Sequence, residues 1–278
     1  MNQQSLFSEF ESEIVSEFPE VSTNSPKFVS YGGGVNSTAM LVLLKSQGIV
    51  PDGILFADTG GEHPHTYGYL EIIDRWLESV SFPKITVVKY TGTEKYSTLE
   101  EDCLSKNVLP SKAYGYSKCS AKWKVEPQQK YIKSLGLNER YISYVGIHAG
   151  ETRRLRSKAG SLKITETKDY AVQYPLIEQG VYQHHCIALI QAVGLPVPKK
   201  SSCFFCPAMK PTEILELKRD YPELYERALE IEAEGMKTAK VVKGLGRKFA
   251  WKDVGKLTDI EQAILDAQNT VCGCVEEF

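Results

Sequence analysis

The sequence predicts an α/β fold, a five-stranded parallel doubly wound sheet with a mainly helical C-terminal region, on three observations. Short apolar runs that fit buried strands recur at 27–31, 53–57, 84–90, 140–147 and about 170–176. Helical patterns separate them, and strands that alternate with helices build parallel crossover units. A glycine-rich turn joins the first run to the first of these helices, and ligands of such sheets bind where strands end and such turns emerge.

Taken in order, an amphipathic helix is expected before residue 27, in the stretch that carries Glu9, Glu11, Glu13, Glu17 and Glu20. The first strand, with Ser30 near its end, runs into Gly32-Gly33-Gly34. Without Cβ atoms these residues let backbone N–H groups approach a polyanion, and the next helix points its positive end there. Asn36 and Ser37 sit at that helix start, placed to cap it or to bind phosphate oxygens. Met40, Leu41, Leu43 and Leu44 supply its buried face until Gly48. A Walker loop is excluded because no lysine follows the glycines, and a dinucleotide fingerprint because position 37 is serine. A glycine turn without a ligand stays open on these residues alone.

The second strand ends in Asp58-Thr59-Gly60-Gly61-Glu62-His63-Pro64, and Pro64 begins a helix that reaches Val80. Asp58 and Thr59 can hydrogen-bond a nucleotide or simply cap the turn. Further helices are expected over Ser97–Asn107 and Ala121–Leu135, and the strand at 140–147 leads into Gly146-Ile147-His148-Ala149-Gly150-Glu151-Thr152-Arg153-Arg154. From Pro196 the chain changes character, with a Cys203-Phe204-Phe205-Cys206-Pro207 segment and then charge-rich helical sequence from Pro211 to about Gln268. The expected division is therefore a nucleotide-binding α/β domain over 1–200 and a Cys-x-x-Cys and helical region over 201–278.

These segments carry a family resemblance. The glycine turn resembles the Ser-Gly-Gly-x-Asp-Ser pyrophosphate loop of the adenine nucleotide alpha-hydrolase-like (PP-loop) ATP pyrophosphatases, with Gly32 in place of the first serine and Asn36 in place of the aspartate. Asp58 to Tyr67 resembles the Asp-Thr-Gly-x-x-x-Pro-x-Thr-Tyr segment of the phosphoadenosine phosphosulfate (PAPS) reductase branch. Gly146 to Arg154 looks like that branch's Gly-x-Arg-x-x-Glu-x-x-Arg signature, with His148 where the first arginine would be. The resemblance implies a Rossmann-like PP-loop sheet. It implies that Ser30, Gly32, Gly33, Gly34, Asn36, Ser37, Thr59, Gly146 and His148 bind the nucleotide, and that Asn36, Ser37, Asp58, Glu151 and Arg154 act on it.

Cys119-Ser120-Ala121-Lys122-Trp123-Lys124-Val125-Glu126-Pro127 is similar to the Cys-Cys-x-x-x-Lys-Val-x-Pro stretch of the iron-sulfur sulfonucleotide reductases, with Ser120 in the second cysteine's place. Cys203 and Cys206 match their later Cys-x-x-Cys. Three soft thiolates suit a [4Fe-4S] cluster or zinc, with a fourth position open, taken by substrate, or supplied by a residue such as Cys103 or Cys186. Inert buried thiols are the plainer alternative. Cys272 and Cys274 read either as a mobile thiol carrier, like the reductases' tail, or as an unimportant chain end.

Seven cysteines, an odd number, fit a reducing compartment better than an oxidising one. No apolar run spans a bilayer and no signal peptide is visible, so a cytoplasmic protein without membrane contact is expected. Net charge is −2, which gives no general attraction to nucleic acid. Residues 237–256 nevertheless hold seven bases and one acid, a local +6, which fits either a nucleic-acid backbone or a solvated face that balances Glu223, Glu226, Glu230, Glu232 and Glu234.

Two reactions compete under the resemblance. In the first, ATP with Mg²⁺ adenylates an acceptor, and sulfur then displaces AMP, as in tRNA thiolation or DNA phosphorothioation. The implied partners are a cysteine desulfurase as sulfur donor and a nucleic acid, DNA or tRNA, as acceptor, with a homodimer left open. The second is reduction of PAPS or adenosine phosphosulfate to sulfite. A subunit that binds nucleotide without turnover is the non-enzymatic alternative.

Overall fold

The computed structural model of the chain describes residues 24–92, 96–156 and 166–254. The expected N-terminal helix, Lys256, Cys272 and Cys274 lie outside these residues. The described chain divides into two compact units, the first holding residues up to Ala57 with Pro64–Val88 and Gln128–Ser201, and the second Asp58–His63, Lys89–Pro127 and the chain from Ser202.

In the first unit β1 (Lys27–Tyr31) lies at the centre of a five-stranded parallel sheet. It is flanked by β2 (Gly53–Asp58) and β4 (Tyr141–Val145), with β3 (Ile85–Lys89) outside β2 and β5 (Tyr170–Gln173) outside β4. Register is fixed on both sides of the central strand: Phe28 pairs with Gly53 and with Ser143, and Ser30 with Leu55 and with Val145.

Alternation along the strands builds two cores, because successive side chains leave opposite faces of a sheet. Val29, Tyr31, Ile54, Phe56, Ile142 and Tyr144 join one apolar cluster, while Phe28, Leu55 and Tyr141 join another with Ile132. The sheet is therefore covered on both faces, as a doubly wound sheet requires. Helix α1 (Val35–Ser46) is buried continuously from Ser37 to Leu44, since later helices of this unit, α6 (Pro175–Glu178) and α7 (Gln183–Ala192), also pack on it. Helix α2 (Pro64–Ser79) buries Tyr69, Ile73 and Leu77, one residue per turn along a single stripe.

The second unit is not the C-terminal region alone. Its core joins Leu99, Cys103, Leu109 and Trp123 to Phe204, Phe205, Ile214, Leu217, Ile231 and Trp251. Each such large side chain contributes about 2 kcal/mol when buried, so residues 89–127 fold with the C-terminal residues that cover them. Helix α3 (Leu99–Lys106) starts at a capping box in which the Thr98 hydroxyl accepts the Glu101 N–H at 3.1 Å, and it ends at Asn107 with φ 52°.

The helix expected over Ala121–Leu135 begins earlier, as α4 (Lys118–Ser120), and passes through a π-helical turn, Ala121–Val125, into α5 (Glu126–Ser134). The long helical stretch expected from Pro211 is broken. It comprises α8 (Pro211–Asp220), α9 (Pro222–Met236) and α10 (Trp251–Val254), with an irregular loop at 237–250.

Candidate functional site

The first unit brings the glycine turn and the Gly146 to Arg154 segment together. Gly33 has φ +74°, and a Cβ there would stand 2.8 Å from Thr66 Cγ2, so the turn needs glycine for both conformation and space. A Cβ on Gly146 would stand 2.9 Å from the carbonyl oxygen of Asn36, so the end of β4 passes directly against the start of α1. That close approach lets the Asn36 Nδ2 donate to Glu151 Oε2 at 2.8 Å.

Glu151 is the hub of a polar cluster. Its Oε1 accepts from Arg154 Nη1 at 2.9 Å, and His148 Nε2 lies 3.6 Å from Oε2. His148 Nδ1 accepts the Gly150 N–H at 3.0 Å, which fixes the ring and leaves Nε2 as its remaining proton site. Burial pushes the His148 pKa below its ordinary value, against the pull of Glu151. Among these groups the neutral imidazole is a donor at Nε2, Arg154 brings charge, and Glu151 offers carboxylate oxygens of the kind Mg²⁺ prefers.

Ser37 has a local task. Its Oγ accepts the Gly34 N–H at 3.3 Å and donates to the Gly34 carbonyl at 3.1 Å, closing the start of α1 upon itself. Ser30 lies within β1, one residue before its end. Sequence reasoning missed Ser201. A Cβ on Gly34 would stand 2.7 Å from Ser201 Oγ, so this hydroxyl sits over the glycine turn. Its segment is held by the Tyr69 hydroxyl, which donates to the Pro196 carbonyl at 2.8 Å. No sequence motif announces such a contact, because 167 positions of chain separate Gly34 from Ser201.

In the second unit Asp58 and Thr59 organise their own turn. Asp58 Oδ1 accepts the Gly60 N–H at 2.8 Å, and its Oδ2 pairs with Lys89 Nζ at 3.2 Å. The Thr59 Oγ1 lies 3.2 Å from both Glu62 Oε1 and Cys203 Sγ. Glu62 has a wholly buried carboxylate whose Oε1 meets Lys124 Nζ at 2.7 Å and whose Oε2 has no hydrogen-bond partner. The π-helical turn explains this reach. It sends Trp123 into the core, Lys122 to Asp102 at 3.1 Å and Lys124 to Glu62.

Burial, and next the Glu62 carboxylate, push the Cys203 thiol well above its ordinary pKa, with Lys124 opposing. Cys206 acts on the same groups, while the Cys103 thiol is raised by burial, then by Asp102 and after it by Cys119. Cys186 packs in the core of the first unit. Among the described residues, no group of three or more His, Cys, Asp or Glu side chains could hold a metal ion. The thiolate set expected for a cluster therefore does not stand assembled there: the Cys203 thiol is turned to Thr59 and Glu62.

Residues 26–199 match the model of the phosphoadenosine phosphosulfate reductase domain. An uncharacterized protein of Methanocaldococcus jannaschii, MJ0066, is 26% identical over 235 residues, 82% of this chain and 45% of its own. The uncharacterized nin region protein ORF290 of Escherichia phage lambda is 26% identical over 158 residues, 51% of this chain and 54% of its own. The chain thus spans about half the length of the curated relatives it matches. Among solved structures, the U34-tRNA thiolase NcsA from Methanococcus maripaludis, with its [4Fe-4S] cluster, aligns at TM-score 0.45 and 12% identity, over 81% of this chain and 78% of that one.

Proposed function

The chain belongs to the phosphoadenosine phosphosulfate reductase domain family, and from that premise we propose that it is an ATP pyrophosphatase that adenylates an acceptor, nucleic acid in this reading, for sulfur transfer. The observation that carries the reading is the 2.8 Å bond between Asn36 and Glu151, which ties the helix start behind the glycine turn to the Glu151, Arg154 and His148 cluster. Glycine amides and the positive end of α1 suit the β and γ phosphates. Arg154 and neutral His148 donate to the charge that grows as the α-phosphorus is attacked. Glu151 is the residue that fits Mg²⁺, whose role when bound is to spread the polyphosphate charge.

An acceptor oxygen forms a bond to the α-phosphorus, the bond to the bridging oxygen breaks, and pyrophosphate leaves. The terminal sulfur of a persulfide, supplied by a cysteine desulfurase in this reading, then attacks the adenylated acceptor carbon or phosphorus and expels AMP. A second thiol attacks the donor-side sulfur of the resulting acceptor–donor disulfide, which breaks that S–S bond, frees the thiolated acceptor and leaves the two thiols oxidised as a disulfide. Cys119, Cys203 and Cys206 remain the proposed ligands if a [4Fe-4S] cluster or zinc binds, and no step is routed through it. Among the described residues no helix is long and apolar enough to cross a membrane, and we place the reaction in the cytoplasm.

Reduction of PAPS to sulfite is the second reading, favoured by the family match. Ser120 and His148, which depart from the reductase pattern, stand against it. Incubation with α-labelled ATP and, separately, with PAPS distinguishes the readings: AMP with pyrophosphate supports adenylation. Sulfite from PAPS without ATP cleavage overturns it, and nucleotide binding with neither product leaves a non-catalytic subunit.

A further inference from the structure

The loop after α9 is built round one buried carboxylate. Glu232, 3% exposed, accepts the Leu245 and Trp251 N–H groups at 2.8 Å on Oε2 and the Lys252 N–H at 3.2 Å on Oε1. A Cβ on Gly244 would stand 2.4 Å from that Oε2, so the backbone closes tightly over the acid. Bonds from Lys243 N to the Arg247 carbonyl, at 2.8 Å, and from Arg247 N to the Gly244 carbonyl, at 3.0 Å, complete the turn. Leu245 and Trp251 are fully buried.

This arrangement leaves Lys243, Arg247, Lys248 and Lys252 exposed on a fixed backbone. The nearby acids do not balance them. Glu232 is consumed by the loop's own amides, Glu234 pairs with Lys237 at 2.5 Å, and Asp253 is the one acid in 237–254. Among the described residues no salt bridge engages Lys243, Arg247, Lys248 or Lys252. A solvated face that balances the acidic stretch would interleave the two signs.

The segment that Arg247 meets carries an exposed aromatic ring. A Cβ on Gly115 would stand 3.0 Å from Arg247 Nη2, so the guanidinium lies against the segment that carries Tyr116, 61% exposed, and the exposed Lys118. That segment is ordered by Ser111, whose Oγ donates to the Tyr116 carbonyl at 3.3 Å and accepts the Cys119 N–H at 2.7 Å.

We propose that Lys243, Arg247, Lys248, Lys252 and Lys118, with Tyr116, bind a single-stranded stretch of nucleic acid, phosphates on the cations and one base stacked on the ring. Cations alone would take any polyanion, but an open tyrosine on the segment that Arg247 meets selects an unpaired base, since a duplex keeps its base faces stacked away. The identity of the partner rests on the adenylation reading, in which the acceptor is nucleic acid, while the surface itself does not involve ATP.

Fluorescence anisotropy of the full chain with a labelled single-stranded DNA, the same sequence as RNA, and its duplex, over a series of salt concentrations, tests this. Single strands are expected to bind with a log–log salt slope of about −3.5, some −0.7 for each phosphate neutralised by the five cations. Glutamine at Lys243, Lys248 and Lys252 together should flatten that slope. Tyr116→Ala should weaken binding roughly tenfold without changing it, and Tyr116→Phe should restore it. Preference for DNA or for RNA identifies the acceptor's source. Unchanged affinity in the lysine variant, with native circular dichroism, overturns the proposal. So does duplex binding as tight as single-strand binding, with Tyr116→Ala without effect. Failure here with ATP binding intact removes the surface and not the nucleotide site; loss of ATP binding with oligonucleotide binding intact removes the adenylation reading alone.

Discussion

At the residue scale, Asn36 and Gly33 carry the proposed nucleotide site. Replacing Asn36 by aspartate would set a second carboxylate where the amide now donates to Glu151 at 2.8 Å. Loss of that charge-assisted bond and the new repulsion should cost about 2 kcal/mol of stability, read as a lower urea midpoint, together with weaker ATP binding. Gly33→Ala should fail differently, because its Cβ meets Thr66 Cγ2 at 2.8 Å in a backbone of φ +74°. A destabilisation of roughly 1–3 kcal/mol is expected, measured by thermal melting. The glycine turn and Asn36 were legible from the strand, turn and helix start they join, and Glu151 and Arg154 only through the family resemblance of the Gly146 to Arg154 segment. Their meeting was not, since it depends on Gly146 letting β4 pass against α1, and a single glycine gives no distance signal. Ser201 and Glu62 were invisible as partners for the same reason: their contacts close over long stretches of chain.

At the element scale, the π-helical turn Ala121–Val125 turns three successive side chains to three different partners. Lys124→Met should leave the buried Glu62 carboxylate uncompensated and cost about 3 kcal/mol, while the double variant with Glu62→Leu should recover most of that loss. A double-mutant cycle by urea denaturation reads the coupling, and additive losses would mean that the pair is not the reason for the turn. The strands were legible because each is a short apolar run, and β1 is observed over the residues expected. Helix ends were harder. The π turn has the same apolar pattern as an α-helix, and the loop at 237–250 shares the composition of a helix while its amides are held by Glu232 instead of by the preceding turn.

For the whole molecule, the parallel sheet with both faces covered follows from alternation and from the run of strand and helix, and the sequence read that correctly. The second unit did not read as one body, since its core joins segments that lie about a hundred residues apart in the chain. Burial across the molecule also sets its response to alkali. It raises the Cys103 thiol to about 12 and the Cys186 thiol to about 11, from 9.0, and Tyr69, Tyr141 and Tyr144 to about 12 from 10.0. The unfolded chain therefore loses these protons first, and folded stability is full below about pH 9 and falls as pH rises from there toward 12. Urea midpoints at pH 8 and pH 10.5 should differ in that direction, and no decline would show that these groups open to solvent in the native state. The most direct test of the account is a calorimetric titration of α,β-methylene-ATP with Mg²⁺ into the native chain and into Gly33→Ala. We expect saturable binding to one site in the native chain, weakened at least about tenfold in a variant that still melts cooperatively. Equal affinity in both, or no binding to the native chain, would contradict a polyphosphate site at the glycine turn.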